Sequence, residues 1–337
     1  MNIQDTKAAE KQLYYRLISL WVICEAFAGG IMHGLKIPFT GMIISSLAIT
    51  CIILIANHST FKYSILRATL IVAIFKMMLS PHSPPTAYIA VFFQGLMGEL
   101  LLKNKKNMQF ASIILAVLSL VESAIQRILV LVIVYGNKFW SAVNEFIVKL
   151  TGDKSNNNYS LTIAVIYVGI HAFIGIFVGI YAYRLAKKST EWKKLHPELI
   201  ITEIAPEKSL QAPKKSGAKK GIKWIFIICW LLLLAAYIHA WQYPEQSFIP
   251  KSAIADIIVR SVLIVAGWLL LLSPVLTLLI RKFLATQQKK QNETITEISR
   301  LLPQTRFVFA RSWQMASAEN GFEKIKLFTK TLLINIL

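Results

Sequence analysis

Glu25, Lys76, Gln94, Glu122, Gln126, Arg127 and His171 all fall inside long apolar runs. An ionisable or amide side chain is costly to place there, and by default it points to function. Such groups could hold a solute, relay an ion or neutralise one another. Glu25, in LWVICEAFAGGIMHG, could meet a ligand or pair with another helix. Lys76 could snorkel to the surface or touch substrate. Gln94 serves either as a substrate ligand or as glue between helices. Glu122 and Gln126 share a helix face at i, i+4, and Glu122 could also neutralise Arg127. His171 lies among Gly169, Gly175 and Gly179, where a packed histidine and a ligand are both open readings. Glu99 stands one turn from the basic KNKK, which suits a local ion pair. Asp256 and Arg260, one turn apart, suit a structural pair.

Enzyme signatures are missing. The chain has no Walker A pattern, HExxH, GxSxG or Gly-rich dinucleotide loop. Its three cysteines form no CxxC or CxxH pair, so neither a zinc site nor a disulfide framework is expected. No enzymatic activity, cofactor or metal follows from these residues.

The elements that carry these groups are helices in lipid. The chain has 337 residues, 55% of them hydrophobic and 16% charged, where a soluble domain would carry about a quarter charged. The expected fold is all-α and polytopic. Eight apolar runs, 17–35, 38–57, 63–80, 85–102, 109–135, 160–185, 222–242 and 253–280, approach the length needed to cross hydrocarbon. The net charge of +20 is read as topogenic rather than as a sign of nucleic-acid binding. Lys and Arg collect in alternate connections, which predicts cytoplasmic N- and C-termini in a bacterial inner membrane. It also predicts an outward connection at SPHSPPTAYIAVFFQGLMGE, residues 80–99. Pro84 and Pro85 then open a helix, where a missing N–H costs nothing. His82, Thr86, Tyr88 and Gln94 become candidate substrate contacts, with Glu25 and His171.

Composition divides the chain into a six-span part (1–185), a basic linker (186–221), a two-span part (222–280) and a tail (281–337). In the linker, ELIITEIA (198–205) is an apolar island that could dock on a partner or on lipid headgroups. Residues 139–159 look like an interfacial amphipathic helix followed by an Asn-rich loop. The tail alternates Arg300, Arg306 and Arg311 with apolar residues, which suits a helix lying on a surface; Gly321 fits a helix cap. Ala26-x-x-x-Gly30-x-x-x-Gly34 and Gly175-x-x-x-Gly179 offer faces for close helix packing.

The six-span part resembles the substrate-binding subunits of energy-coupling-factor (ECF) transporters, the ATP-driven vitamin and metal importers of the ABC class. The similarity rests on the six-helix plan, AFAGGIMHG, IPFTGMIISSLAI, the Pro-rich loop before AYIAVFFQGLMGELL, and the Gly-rich helix ending in YRLAKK. The C-terminal part resembles the coupling subunit of the same systems, whose cytoplasmic helices end in Ala-Arg-Gly motifs seated in ATPase grooves. LLPQTRFVFARSWQMASAENGF carries the likeness, with Arg306, Arg311 and Gly321 as partner-coupling positions. Asn320 stands where the family has Arg, and Ser312 where it has Gly. The resemblance implies a membrane subunit that takes a small vitamin-like or metal substrate from outside and works with separate ATPase subunits. The Asn320 and Ser312 departures fit a second reading, a non-transporting scaffold that binds another subunit of a membrane complex.

Overall fold

The structure is a computed structural model. It describes residues 3–28, 32, 39–80, 83–152, 158–202, 227–228, 230–232, 234–235, 237–239, 242–243 and 253–337. Most of those residues are helical, with no strand among them.

The helices are α1 (Ile3–Val22, continued by a π-helical turn over Ile23–Ala28), α2 (Thr40–His58), α3 (Ser64–Leu79), α4 (Pro85–Leu102), α5 (Met108–Thr151) and α6 (Tyr159–Leu195). Then come α7 (Ala253–Gly267), a second π-helical turn (Trp268–Leu272), α8 (Ser273–Lys290), α9 (Asn292–Met315) and α10 (Gly321–Ile336). Five stretches are long and apolar enough to cross a membrane: Thr40–His58, Pro85–Leu102, Met108–Gly136, Tyr159–Leu195 and Ile257–Lys290. The expected run 63–80 falls short because α3 has only 16 residues. The run 17–35 begins inside α1, whose first half is polar, and beyond Ala28 it lies almost wholly outside the described residues. Of 222–242, a shorter apolar helix over Trp230–His239 is seen.

Local chemistry explains several boundaries. Pro85 sits at the first position of α4 after an extended Pro84, as the Pro-Pro pair predicts. The first amides of α3 find an acceptor in Glu99 of α4, whose Oε2 takes the N–H groups of Ile65 (3.1 Å) and Leu66 (3.3 Å). Glu99 therefore caps a neighbouring helix rather than serving KNKK, because unpaired amides at a helix start favour a carboxylate. Helix α5 kinks at Gly136 (φ 70°, ψ −174°), a conformation essentially confined to glycine.

The chain divides into two compact units along different lines from the composition. Unit 1 is Met1–Val121, Ala172–Pro213 and Arg281–Leu337; unit 2 is Glu122–His171 and Lys214–Ile280. The boundaries cut through α5 and α6, and the tail belongs to the same unit as the N-terminal helices.

In unit 1 the core gathers Leu17, Ile18 and Trp21 of α1, Ile49 and Ile52 of α2, and Phe75 of α3, all fully buried. Gly175 and Gly179 let α6 approach α5 closely. A Cβ on Gly179 would lie 2.5 Å from the Ile113 Cα, and one on Gly175 2.8 Å from the Val117 Cα. Lipid is as apolar as leucine, so this backbone approach, not water exclusion, holds such helices together. The tail is folded into the unit. Helix α9 turns Ile298, Leu302, Thr305 and Val308 inward, and Ser19 of α1 shares a 2.7 Å hydrogen bond with Thr305. Phe328 of α10 meets Phe309 and Trp313 of α9 edge-on. The linker's apolar island is pinned as well, since Asn335 donates to the Leu199 carbonyl and accepts from the Ile201 N–H.

In unit 2, Trp230 Nε1 donates to the Leu263 carbonyl and Ser261 Oγ to that of Val134. The Arg260 guanidinium lies where a Cβ on Gly136 would stand, 2.6 Å away.

Candidate functional site

The strongest concentration of buried polar chemistry lies in unit 1, where α1 widens into its π-helical turn. Glu25 and Lys76 are almost completely enclosed, and Lys76 Nζ donates to Glu25 Oε2 at 2.6 Å. Single π turns often occur at functional sites, because the extra residue displaces a side chain and loosens the carbonyl ladder. Here the Ala26 carbonyl accepts a 2.8 Å hydrogen bond from Ser80 Oγ at the end of α3. Cys24, next to Glu25 in the chain, and Cys51 of α2 are both buried free thiols.

The pair brings two separately predicted polar residues together. Each neutralises the other, so Lys76 does not snorkel to water; burial strengthens their attraction but also costs each charge its hydration. Chemically, such a pair can hold a charged or zwitterionic solute by exchange, each group leaving its partner for one on the ligand. It can also pass a proton between its members.

The other predicted residues fall differently. Gln94 is buried in unit 1 and donates to Ser45 Oγ at 2.9 Å, while its Oε1 finds no hydrogen-bond partner. Tyr88 is buried and Thr86 half-buried; His82 lies outside the described residues. Neither of the two clefts described below and at Lys106–Ile113 is lined by any of these residues. His171 belongs to unit 2. Its Nδ1 meets the Tyr167 carbonyl at 2.9 Å and its ring packs on Tyr167, so its own helix satisfies it. Glu122 accepts from Gln126, not from the exposed Arg127; i, i+4 side chains meet along a helix and i, i+5 do not. Arg260 stands at Gly136, and the side chain of Asp256 lies outside the described residues.

Among the packing residues, Ala26 is buried in the π turn, and Gly30 and Gly34 lie outside the described residues. Of the coupling positions, Arg311 bonds Gln314 at 2.9 Å on the outer side of α9, while Ser312 is fully buried. Arg306 is exposed. Gly321, at φ 56°, opens α10 behind Asn320 instead of ending α9, which closes through a 3-10 turn at Ala316–Ala318.

Within unit 1, helix α8 reaches α3, with Gln288 Nε2 3.9 Å from Met78 Sδ. Helix α8 continues through Arg281 and Lys282 to Lys290, so these cations lie along a helix and do not mark its end.

The Ser19–Thr305 bond had no signal in the sequence, since it depends on how α1 and α9 pack. The class these observations define is an all-helical protein with several helices fit to cross a membrane, consistent with a multi-pass membrane protein. Comparison with protein-family models, curated proteins and solved structures returns no match.

Proposed function

We propose that the chain is a membrane subunit of an ECF-like importer, with a solute-binding part and a coupling tail in one polypeptide. The observation that carries this reading is the packing of α9, the coupling-like helix, along α1, the small-residue helix of the solute-binding part, fastened by Ser19 and Thr305. A change at the Glu25–Lys76 end of α1 then has a direct route to the tail. The solute is a small vitamin-like or metal substrate entering from outside, in a bacterial inner membrane, and both termini are cytoplasmic. Exchange at the buried pair favours a solute that carries charge. Separate ATPase subunits supply the energy, engaging the outer face of α9 around Arg306 and Arg311.

Affinity purification of the tagged chain from its native host tests this. Two ATPase chains should co-purify, and Arg311→Glu should release them while leaving the chain in the membrane. Recovery of a different stable partner without ATPases would favour the alternative, a non-transporting scaffold. The burial of Ser312 and the uncharged Asn320 at the start of α10 support that second reading.

A further inference from the structure

Unit 2 holds an open cleft of about 660 Å³ between the two arms of kinked α5 and the start of α6. Its walls change character along their length. Ile128, Val132, Leu161 and Ala164 give an apolar stretch, while Asn144, Glu145 and Asn158 stand at the other end. The polar end is prearranged. Asn144 Oδ1 accepts the Tyr159 N–H at 2.7 Å, and Asn158 Oδ1 accepts the Leu161 N–H at 3.1 Å. A backbone N–H needs an acceptor, so both amides must turn their oxygens to the chain and keep their NH2 groups as donors. Ser160 Oγ ties the two sides together by donating to the Trp140 carbonyl at 2.6 Å. Among the described residues, Glu145 is the one charged residue lining the cleft, and its carboxylate meets no cation.

Two amide donors beside one exposed carboxylate, above an apolar wall, complement a specific head group. The donors suit a phosphodiester, the carboxylate suits a primary ammonium, and the wall suits an acyl chain. Among the described residues no Lys or Arg lines the cleft, which disfavours a purely anionic lipid there. We propose that this cleft seats one phospholipid of the phosphatidylethanolamine class. The Gly136 kink positions it by swinging residues 140–145 over the start of α6. This assignment does not depend on the importer reading.

Native mass spectrometry of the full chain, delipidated in detergent, tests it. The probes are dioleoyl phosphatidylethanolamine, its mono- and dimethylated forms, phosphatidylcholine and phosphatidylglycerol. One phosphatidylethanolamine should be retained about fivefold over phosphatidylcholine, as one charge-assisted contact at a partly exposed site allows. The methylated forms should fall between. Glu145→Gln should bring the ratio to about one without changing the far-ultraviolet circular dichroism. Equal retention of all head groups, preferential retention of phosphatidylglycerol, or a ratio that survives Glu145→Gln in a folded protein would overturn the assignment. Should Glu145→Gln fail to fold, the methylation series on the unaltered chain decides alone.

Discussion

The two units pair their polar side chains differently. In unit 1, polar side chains reach across helices: Lys76 to Glu25, Gln94 to Ser45, Ser19 to Thr305, Asn57 to the Ala186 carbonyl. In unit 2, Gln126 bonds Glu122 and His171 bonds Tyr167 within single helices, and the bonds that cross between helices run from a side chain to the backbone, as Ser160 to the Trp140 carbonyl and Trp230 to the Leu263 carbonyl. Burial follows the same division. Helix α2 encloses a majority of its residues, whereas the described side chains of Ile257–Ile280 include only Leu263 and Gly267 as buried. A bond within one helix survives whatever its neighbours do. A bond between two side chains on different helices fixes their register, which is how unit 1 holds its buried ion pair in place.

The sharpest test removes one half of the ion pair. Lys76→Met leaves Glu25 buried without its cation, and breaking such a pair costs roughly 3–5 kcal/mol. Thermal unfolding in detergent should show a large loss. The double variant Glu25→Gln/Lys76→Met should recover most of it, because the pair's own net worth is small against its desolvation. Equal losses in the single and double variants would mean the residues act separately, and the contrast between units would lose its main support.

Two glycines test the packing on either side. Gly179→Val drives a side chain into the Ile113 backbone in unit 1 and should cost about 1–3 kcal/mol. Gly136→Ala in unit 2 forces a glycine-only conformation, also about 1–3 kcal/mol. The readouts should differ. The first should loosen α5 and α6 in unit 1 by hydrogen exchange. The second should raise exchange near Gly136 and leave α2 and α3 protected. A smaller effect, about 1 kcal/mol, is expected from Ser19→Ala, which leaves Thr305 short of a partner. Cysteine cross-linking between α1 and α9 should report a looser tail.

What was legible in the sequence follows from the range of each interaction. Helical content, the Pro85 start and the apolar runs at 38–57, 85–102 and 253–280 are local, and local residue types encode them. Glu25 and Lys76 were each marked by their cost in lipid, but nothing local says that α1 and α3 bring them together. Glu99 was misread because KNKK is near in sequence, while its partners at Ile65 and Leu66 are near only in space. The tail was read as a helix lying on a surface because its amphipathic pattern is the same whether the apolar face meets lipid, a partner or α1.

The smallest effect lies at the join between linker and tail. Glu198 is fully exposed, and its carboxyl is held below the ordinary glutamate value, first by its own backbone N–H and then by the His196 side chain 2.8 Å away. A carboxylate with a depressed pKa stabilises the fold above its unfolded-state value. That contribution fades as pH falls through the lower folded-state value. On acidification below the usual carboxylate range, the 3-10 turn Pro197–Leu199 should therefore loosen slightly, together with the Asn335 contacts that depend on it. Amide exchange at Ile200 and Ile201 should rise in that window. Glu198→Gln should flatten the pH response without altering exchange around Lys76. A matching rise at Lys76 would mean that unit 1 opens as a whole, and that the tail is no softer than the helices it packs against.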